Sequence, residues 1–204
     1  MPNWCVNTLT VWGDESELSE FRSKTVKDDP NTVSFNELFP MPTEIDNEDG
    51  RLSRNENETD AEYELRRKEF IKKHGTDSWY EWRVENWGTK WEGSQNEIYS
   101  DSPDELILSF ETAWAPPSNW VKRVAMRFPN LSFRLVYMET GNEIAGKLLI
   151  DQGEISEDEG EPIYTDHYDQ EVYYDSVEEV WKYLESGDVV EEDDFYPMAV
   201  NPFE

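Results

Sequence analysis

The chain has 204 residues, with 47 Asp and Glu against 18 Lys and Arg, and a formal net charge of −29 at pH 7. Because phosphate binding depends on Lys and Arg, this charge disfavours nucleic acid and anionic membranes as direct partners. A single cysteine excludes an intrachain disulfide, and one cysteine with two histidines excludes the usual structural zinc sites. No apolar run approaches the about 18 residues of a membrane span, which excludes a transmembrane helix.

The first predicted elements are a strand and a helix. Trp4 to Trp12 alternates in polarity and is rich in Val, Thr and Trp, a pattern typical of a β-strand. One face of this strand carries Cys5, Leu9 and Val11. Gly13 ends the strand, and the helix that follows is expected to stop near Asp29-Pro30.

Residues 31–95 are predicted to be an insertion between regular elements. Asp60 to His74 is predicted to be a surface helix, because Glu–Arg and Glu–Lys pairs recur four residues apart and Gly75 is a suitable C-terminal cap. A cluster of aromatic residues without an assigned secondary structure follows: Trp79, Tyr80, Trp82, Trp87 and Trp91.

The pattern of strands and helices resumes after this cluster. The predicted elements are a short strand over Ser94 to Tyr99, a strand over Leu106 to Trp114, a helix over Pro117 to Phe128, and paired strands over Leu131 to Met138 and Glu143 to Ile150. This order is that of a split βαβ unit. The predicted fold class is therefore α+β, with a ferredoxin-like antiparallel sheet over residues 1–150, a helical, Trp-rich insertion and an acidic C-terminal extension.

The extension, residues 151–204, carries a net charge of −18. Glu154 to Glu161 is predicted to be an acidic loop, and the Tyr-rich segment from Ile163 to Tyr174 an additional strand. Ser176 and Glu179 have the spacing of a capping box, and apolar residues then recur at helical intervals up to Gly187. We expect a short amphipathic helix there, docked on the ferredoxin-like domain.

Four motifs in the first three quarters of the chain resemble a known family. They are Met1-Pro2-Asn3-Trp4-Cys5-x-Asn7, Phe39-Pro40-x-Pro42, Asn86-Trp87-Gly88-Thr89-Lys90-Trp91 and Phe110-x-Thr112-Ala113-Trp114-x-Pro116-Pro117. Over residues 1–155 the chain resembles the YubB-like, ferredoxin-like domain proteins of phages and conjugative plasmids. The resemblance implies a ferredoxin-like fold and a mobile-element origin, and it implies no catalytic residues. With a single cysteine and no signal-peptide pattern, we expect the protein in the host cytoplasm.

The Trp-rich motif has two interpretations. Its indoles and Lys90 suit a nucleotide-like ligand, because rings stack on bases and a Lys meets phosphate; equally, the rings can fill the core where aliphatic residues are scarce. Asn7 and Glu111 lie on neighbouring predicted strands, either as a structural pair or with the carboxylate as a general base. The candidate ligand residues are Asn7, Asn86, Trp87, Lys90, Trp91, Glu111 and Trp114.

The acidic extension suggests a surface for a basic partner protein. Its candidate residues are Glu154, Glu157, Asp158, Glu159, Glu161, Asp166, Asp169, Glu171, Asp188, Glu191, Glu192, Asp193 and Asp194. The acids around His167 are interpreted as a solvated turn, and neither a metal nor a cofactor is expected.

Three functions therefore stay open. The favoured hypothesis is a non-enzymatic inhibitor of a host or anti-phage defence protein that acts as a nucleic-acid-mimicking decoy. The alternatives are a nucleotide-like ligand site, including a hydrolase-type enzyme on that site, and a soluble accessory protein without a specific partner.

Overall fold

The computed structural model describes residues 3–28, 31–47, 49–139 and 144–158, and three short strands further along the chain. The helices in these parts are α1 Glu15–Thr25, α2 Asp60–His74, α3 Trp79–Trp87 and α4 Ser118–Ala125. The strands are β1 Trp4–Gly13, β2 Val26–Asp28, β3 Asn31–Val33, β4 Gly93–Asp101, β5 Glu105–Ala113, β6 Leu131–Glu139, β7 Ile144–Asp151, β8 Glu154–Asp158, β9 Tyr164–Thr165, β10 Glu171–Asp175 and β11 Val180–Tyr183.

The main sheet has eight strands in the order β2-β3-β4-β5-β1-β6-β7-β8, and every neighbouring pair is antiparallel. Its central four strands follow the chain order β1, α1, β4, β5, α4, β6, which is a split βαβ arrangement. The α+β ferredoxin-like fold predicted from the sequence is confirmed. Short hairpins, β2–β3 and β7–β8, widen the sheet at its two edges.

The hydrophobic core lies on one face of this sheet, against α1 and α4. Alternate residues of β1 are fully buried, among them Leu9 and Val11, as their alternation predicted. The Phe21 ring of α1 makes edge-to-face contacts with Phe128 and Phe133, at centroid distances of 5.9 and 5.7 Å. Aromatic packing thus supplies much of the core in a chain with few aliphatic residues.

The first helix ends four residues earlier than predicted. α1 ends at Thr25, and Val26 is already extended, with φ −89° and ψ 123°. Consecutive β-branched residues weaken a helix, and here Val26 pairs with Val33 in the β2–β3 hairpin instead. The aromatic segment after α2, which had no predicted secondary structure, forms α3 over Trp79–Trp87.

Two predictions for the acidic extension are wrong. Glu154–Asp158 is strand β8, because the positive φ angles of Gln152 and Gly153, 48° and 85°, turn the chain back along β7. Val180–Tyr183 is a strand paired with β10, where a helix was expected. Val, Trp and Tyr favour strands, and in so short a segment the helical spacing did not outweigh that pairing. The other residues of the expected helix lie outside the described residues.

Candidate functional site

The loop that joins α3 to β4 is fixed at its start, where its backbone passes close to the backbone of the segment after β5. Gly88 caps α3 with φ 91°, and a Cβ added there would lie 2.7 Å from the Pro116 carbonyl oxygen. Only glycine fits such a position without strain. The next residue, Thr89, donates a hydrogen bond from its hydroxyl to the Ala113 carbonyl at 3.0 Å.

The far end of the same loop is held by Glu92. Its carboxylate accepts hydrogen bonds from the Ser34 hydroxyl at 2.8 Å and the Asn36 backbone N–H at 2.9 Å. Lys90 and Trp91 therefore lie between two anchored positions.

Trp114, which follows β5, has a conformation that bulky residues rarely adopt. Its φ is 64°, in the left-handed region. Its backbone N–H donates to the Asn3 carbonyl at 2.9 Å, and the Thr112 hydroxyl donates to the Ala115 carbonyl at 2.8 Å. These bonds hold a strained backbone that points to a functional position.

Three tryptophans converge at this end of the sheet and remain exposed. The Trp91 ring lies 6.2 Å from that of Trp4 and 6.3 Å from that of Trp114, with the second pair nearly parallel at 25°. Their exposed fractions are 41% for Trp4, 36% for Trp91 and 37% for Trp114. We call these three residues the Trp cluster.

Lys90 lies beside the Trp cluster with its ammonium group surrounded by rings. The Nζ atom is 4.4 Å from the ring centroid of Trp91, 5.1 Å from Trp114, and 5.9 Å from both Trp79 and Tyr80. Among the described residues, no carboxylate lies within ion-pair distance of this ammonium group. An aromatic face attracts a cation through its quadrupole, so the four rings together form a cation-holding arrangement.

Arg83 is a second cation held by indole rings, and like Lys90 it is half-buried. Its guanidinium lies 4.8 Å from the Trp87 ring centroid and 5.1 Å from that of Trp79. Burial lowers the pKa of Arg83, against the opposing influence of Asp46 and Glu92. Its Nε is buried without a hydrogen-bond acceptor, and the faces of Trp79 and Trp87 lie beside the guanidinium.

The structure divides the predicted residues of the Trp-rich motif between surface and core. Lys90, Trp91 and Trp114 come together at the exposed site. Trp87 is fully buried and donates from Nε1 to the Phe39 carbonyl at 3.0 Å. Asn86 is also buried and donates to the Trp82 carbonyl within α3. For these two residues the core interpretation is the one that the geometry supports.

Asn7 and Glu111 do not form the pair considered from the sequence. Their strands are neighbours as expected, but Asn7 pairs with Phe110 in the register while Glu111 pairs with Val6, which places the two side chains on opposite faces. Asn7 is buried and donates to the Thr112 hydroxyl at 2.9 Å and the Cys5 carbonyl at 2.8 Å. It therefore has a structural role in the core.

Cys5 lies beside Asn7, and its buried thiol is expected to be unreactive. Burial raises the pKa of its thiol to about 12. A thiol in that state is protonated at neutral pH and is a poor nucleophile.

The site also includes residues that the sequence did not identify as ligand candidates, namely Trp4, Trp79 and Tyr80. Alternation along β1 already placed Trp4 on the face opposite Leu9, which is a signal of exposure. Its contact with Trp91 depends on two strand pairings, in which the end of β5 lies beside the start of β1 and also beside the start of β4, which Trp91 precedes. Because Trp4 and Trp91 are far apart in the sequence, no local sequence pattern could predict that their rings lie together.

The predicted partner-binding acids are only partly described. Glu154 is exposed at the start of β8, and Glu157, Asp158 and Glu171 lie on described strands. The remaining candidates lie outside the described residues: Glu159, Glu161, Asp166, Asp169, Asp188, Glu191, Glu192, Asp193 and Asp194.

Two kinds of feature are absent from the described residues. They contain no group of three His, Cys, Asp or Glu side chains arranged to hold a metal ion. In the same parts of the chain, no helix is long and apolar enough to cross a membrane.

Comparison with known proteins places the chain in a family. Residues 86–187 match the family model described as the ferredoxin-like domain in Api92-like protein, and the YubB-like naming of the sequence resemblance stays a prediction. The crystal structure of protein api92 from Yersinia pseudotuberculosis is similar, with 12% sequence identity, a TM-score of 0.49, and coverage of 78% of this chain and 99% of that one. None of the curated proteins matches significantly. Since the family match covers half of its residues, the chain belongs to the family of the ferredoxin-like domain in Api92-like protein.

Proposed function

We propose that the protein is a non-catalytic binding protein of phage or plasmid origin whose partner is a basic host or anti-phage defence protein. The observation that carries this proposal is the Trp cluster, exposed on a chain with a net charge of −29. Contiguous exposed apolar side chains on a soluble domain mark interaction surfaces. Trp is also the residue type most enriched among interface residues that dominate binding energy.

The charge of the chain supports a basic partner. The acidic extension alone carries −18, and such a field speeds association with positive surfaces and repels acidic ones. A groove that binds nucleic acid presents Lys and Arg to phosphates, and closely spaced carboxylates compete for the same groove. In this proposal the acids act as a nucleic-acid-mimicking decoy in the cytoplasm, and the Trp cluster supplies affinity.

A tagged pull-down from nuclease-treated host lysate tests this function. The full chain is compared with Trp91→Ala, with a variant whose acids in residues 151–204 are neutralised, and with Tyr99→Ala as a control. Tyr99 is also an exposed aromatic residue, but it lies near the opposite end of β4. We expect a stoichiometric basic protein that Trp91→Ala and the neutralised variant lose and Tyr99→Ala retains. Capture of no partner by the parent chain contradicts the proposal and favours a soluble accessory role.

A second candidate function, binding of a nucleotide-like ligand, is favoured by Lys90. Its ammonium group has no carboxylate partner among the described residues and lies next to exposed indole faces, so phosphate and base would each find a complementary group. Titration of the parent chain and of Lys90→Met with nucleotides, with Trp fluorescence as readout, tests this function. Lys72→Met on α2 removes the same charge away from the site and serves as the control. A hydrolase-type activity on this site is distinguished by product formation from the ligand that binds.

A further inference from the structure

We propose that the four rings around Lys90 form a cage for a cationic side chain of the partner. Lys90 is its resident occupant, and a guanidinium or methylated ammonium group replaces it when the complex forms. The inference rests on the proposed binding to a basic protein. It adds the chemical class of the group recognised, which neither the family nor the charge of the chain specifies.

The rings of the cage come from three separate parts of the fold. Trp79 and Tyr80 begin α3, Trp91 lies in the loop before β4, and Trp114 follows β5. All four ring centroids lie within 5.9 Å of the Lys90 Nζ. Convergence of four aromatic faces on one ammonium group is the arrangement by which proteins recognise quaternary ammonium and methylated lysine.

The cage is held in place independently of Lys90. The Trp79 backbone N–H donates to the Gly50 carbonyl at 3.1 Å, and its ring lies against that glycine. Trp114 is held in its left-handed conformation by the hydrogen bond to Asn3. Since these contacts do not involve the lysine, we expect the rings to stay in place when Lys90 leaves.

Replacement of Lys90 by a partner group follows from the hydration of the two kinds of cation. A primary ammonium group is compact and strongly hydrated, whereas guanidinium and methylated ammonium groups are more weakly hydrated. Water therefore competes better for Lys90 than for the incoming group. Lys90 also has a flexible stem, and the net charge of −29 favours any cation near the surface.

Tetramethylammonium is a suitable probe for the cage. The full-length parent, Lys90→Ala, Lys90→Met and the double variant Lys90→Ala with Trp91→Ala are titrated at constant ionic strength, with Trp fluorescence as readout. Lys90→Ala empties the cage, whereas Lys90→Met removes the same charge but leaves an apolar stem against the rings. We expect saturable binding to Lys90→Ala, with a half-saturating concentration of tetramethylammonium at least fivefold lower than that of the parent. Lys90→Met and the double variant should show no saturable response.

The inference is overturned if Lys90→Ala responds no more strongly to tetramethylammonium than to sodium, or if it responds no better than Lys90→Met. Circular dichroism and a urea unfolding curve test whether each variant is folded. If Lys90→Ala is unfolded, the parent must show the saturable response at a higher concentration of tetramethylammonium, and Trp91→Ala must lose that response. Failure of the proposed function has a different signature. A normal tetramethylammonium response without capture of any basic protein contradicts the proposed partner and leaves the cage intact.

Discussion

Gly88 and Gly153 have similar φ angles in different surroundings, which makes them a matched pair for substitution. Their φ angles are 91° and 85°. A Cβ at Gly88 would lie 2.7 Å from the Pro116 carbonyl oxygen, whereas a Cβ at Gly153 would meet nothing within 4 Å. A side chain in the left-handed region costs about 1–2 kcal/mol by itself. We therefore expect Gly153→Ala to lose about that amount of unfolding free energy and Gly88→Ala to lose clearly more, as measured by urea denaturation.

The excess loss in Gly88→Ala reports how closely the loop carrying Lys90 approaches the segment after β5. Equal losses in the two variants would contradict that close approach. They would also remove the reason for a glycine at this point of the Trp-rich motif.

Trp87 and Trp91 separate a core role from a surface role within one hexapeptide. Trp87 is 0% exposed and bonded to the Phe39 carbonyl, whereas Trp91 is 36% exposed. Trp87→Ala is expected to lose about 3–5 kcal/mol of unfolding free energy, the usual cost of a buried Trp. Trp91→Ala is expected to lose less than about 1.5 kcal/mol, so that its effect on partner capture reports binding. A loss in Trp91→Ala as large as that in Trp87→Ala would show that the Trp cluster is structural.

The sequence identified this motif as important but did not divide it into core and surface. Trp87 ends α3 and faces Phe35 and Trp82, whereas Trp91 lies in the loop that begins where the left-handed Gly88 ends the helix. Residue type is the same at both positions, so only the backbone turn and the tertiary neighbours distinguish them. The same limit applies to Asn7, whose polarity suggested chemistry and whose hydrogen bonds are structural.

Helix α2 is attached to the rest of the insertion by two buried or half-buried ion pairs. Glu58 accepts hydrogen bonds from Arg66 at 2.7 and 2.8 Å, which hold the pKa of its carboxyl at about 2. Arg67 bonds Asp77 at 2.5 Å and lowers the pKa of that carboxyl as well. Carboxyl groups with lowered pKa values stabilise the fold above their ordinary pKa, about 4–4.5, and this contribution is lost as the pH falls toward the folded-state value.

The pH dependence is measured best as a difference between two chains. We expect the urea midpoint of the parent to exceed that of Glu58→Gln at pH 6, and this difference to shrink as the pH falls from about 4.5 toward 2. The comparison cancels the loss of overall negative charge, which affects both chains alike. A difference that stays constant over this range would show that the Glu58–Arg66 pair contributes no pH-dependent stability.

Elements with a long, regular pattern were predictable from the sequence, and short ones were not. Alternation predicted β1 and β5, and the charge pairs together with Gly75 predicted α2. Strand β8 was not predicted, because its many acidic residues indicated a loop. Its formation depends on the turn at Gln152-Gly153, which pairs it with β7. For Val180–Tyr183 the helical spacing was misleading, since pairing with β10 decided the conformation.

The net charge of −29 should make folding and binding respond to salt in opposite directions. Like charges repel in the compact state, and the distance over which they act falls from about 10 Å at 0.1 M salt to about 3 Å at 1 M. Between 20 mM and 500 mM NaCl we expect the thermal midpoint to rise by several degrees, with a smaller rise in the variant whose acids in residues 151–204 are neutralised. Over the same range, capture of the basic partner should weaken, because salt screens the attraction that assembles the complex. A midpoint that does not change, or a complex equally strong at both salt concentrations, would mean that the acids neither destabilise the fold nor recruit the partner.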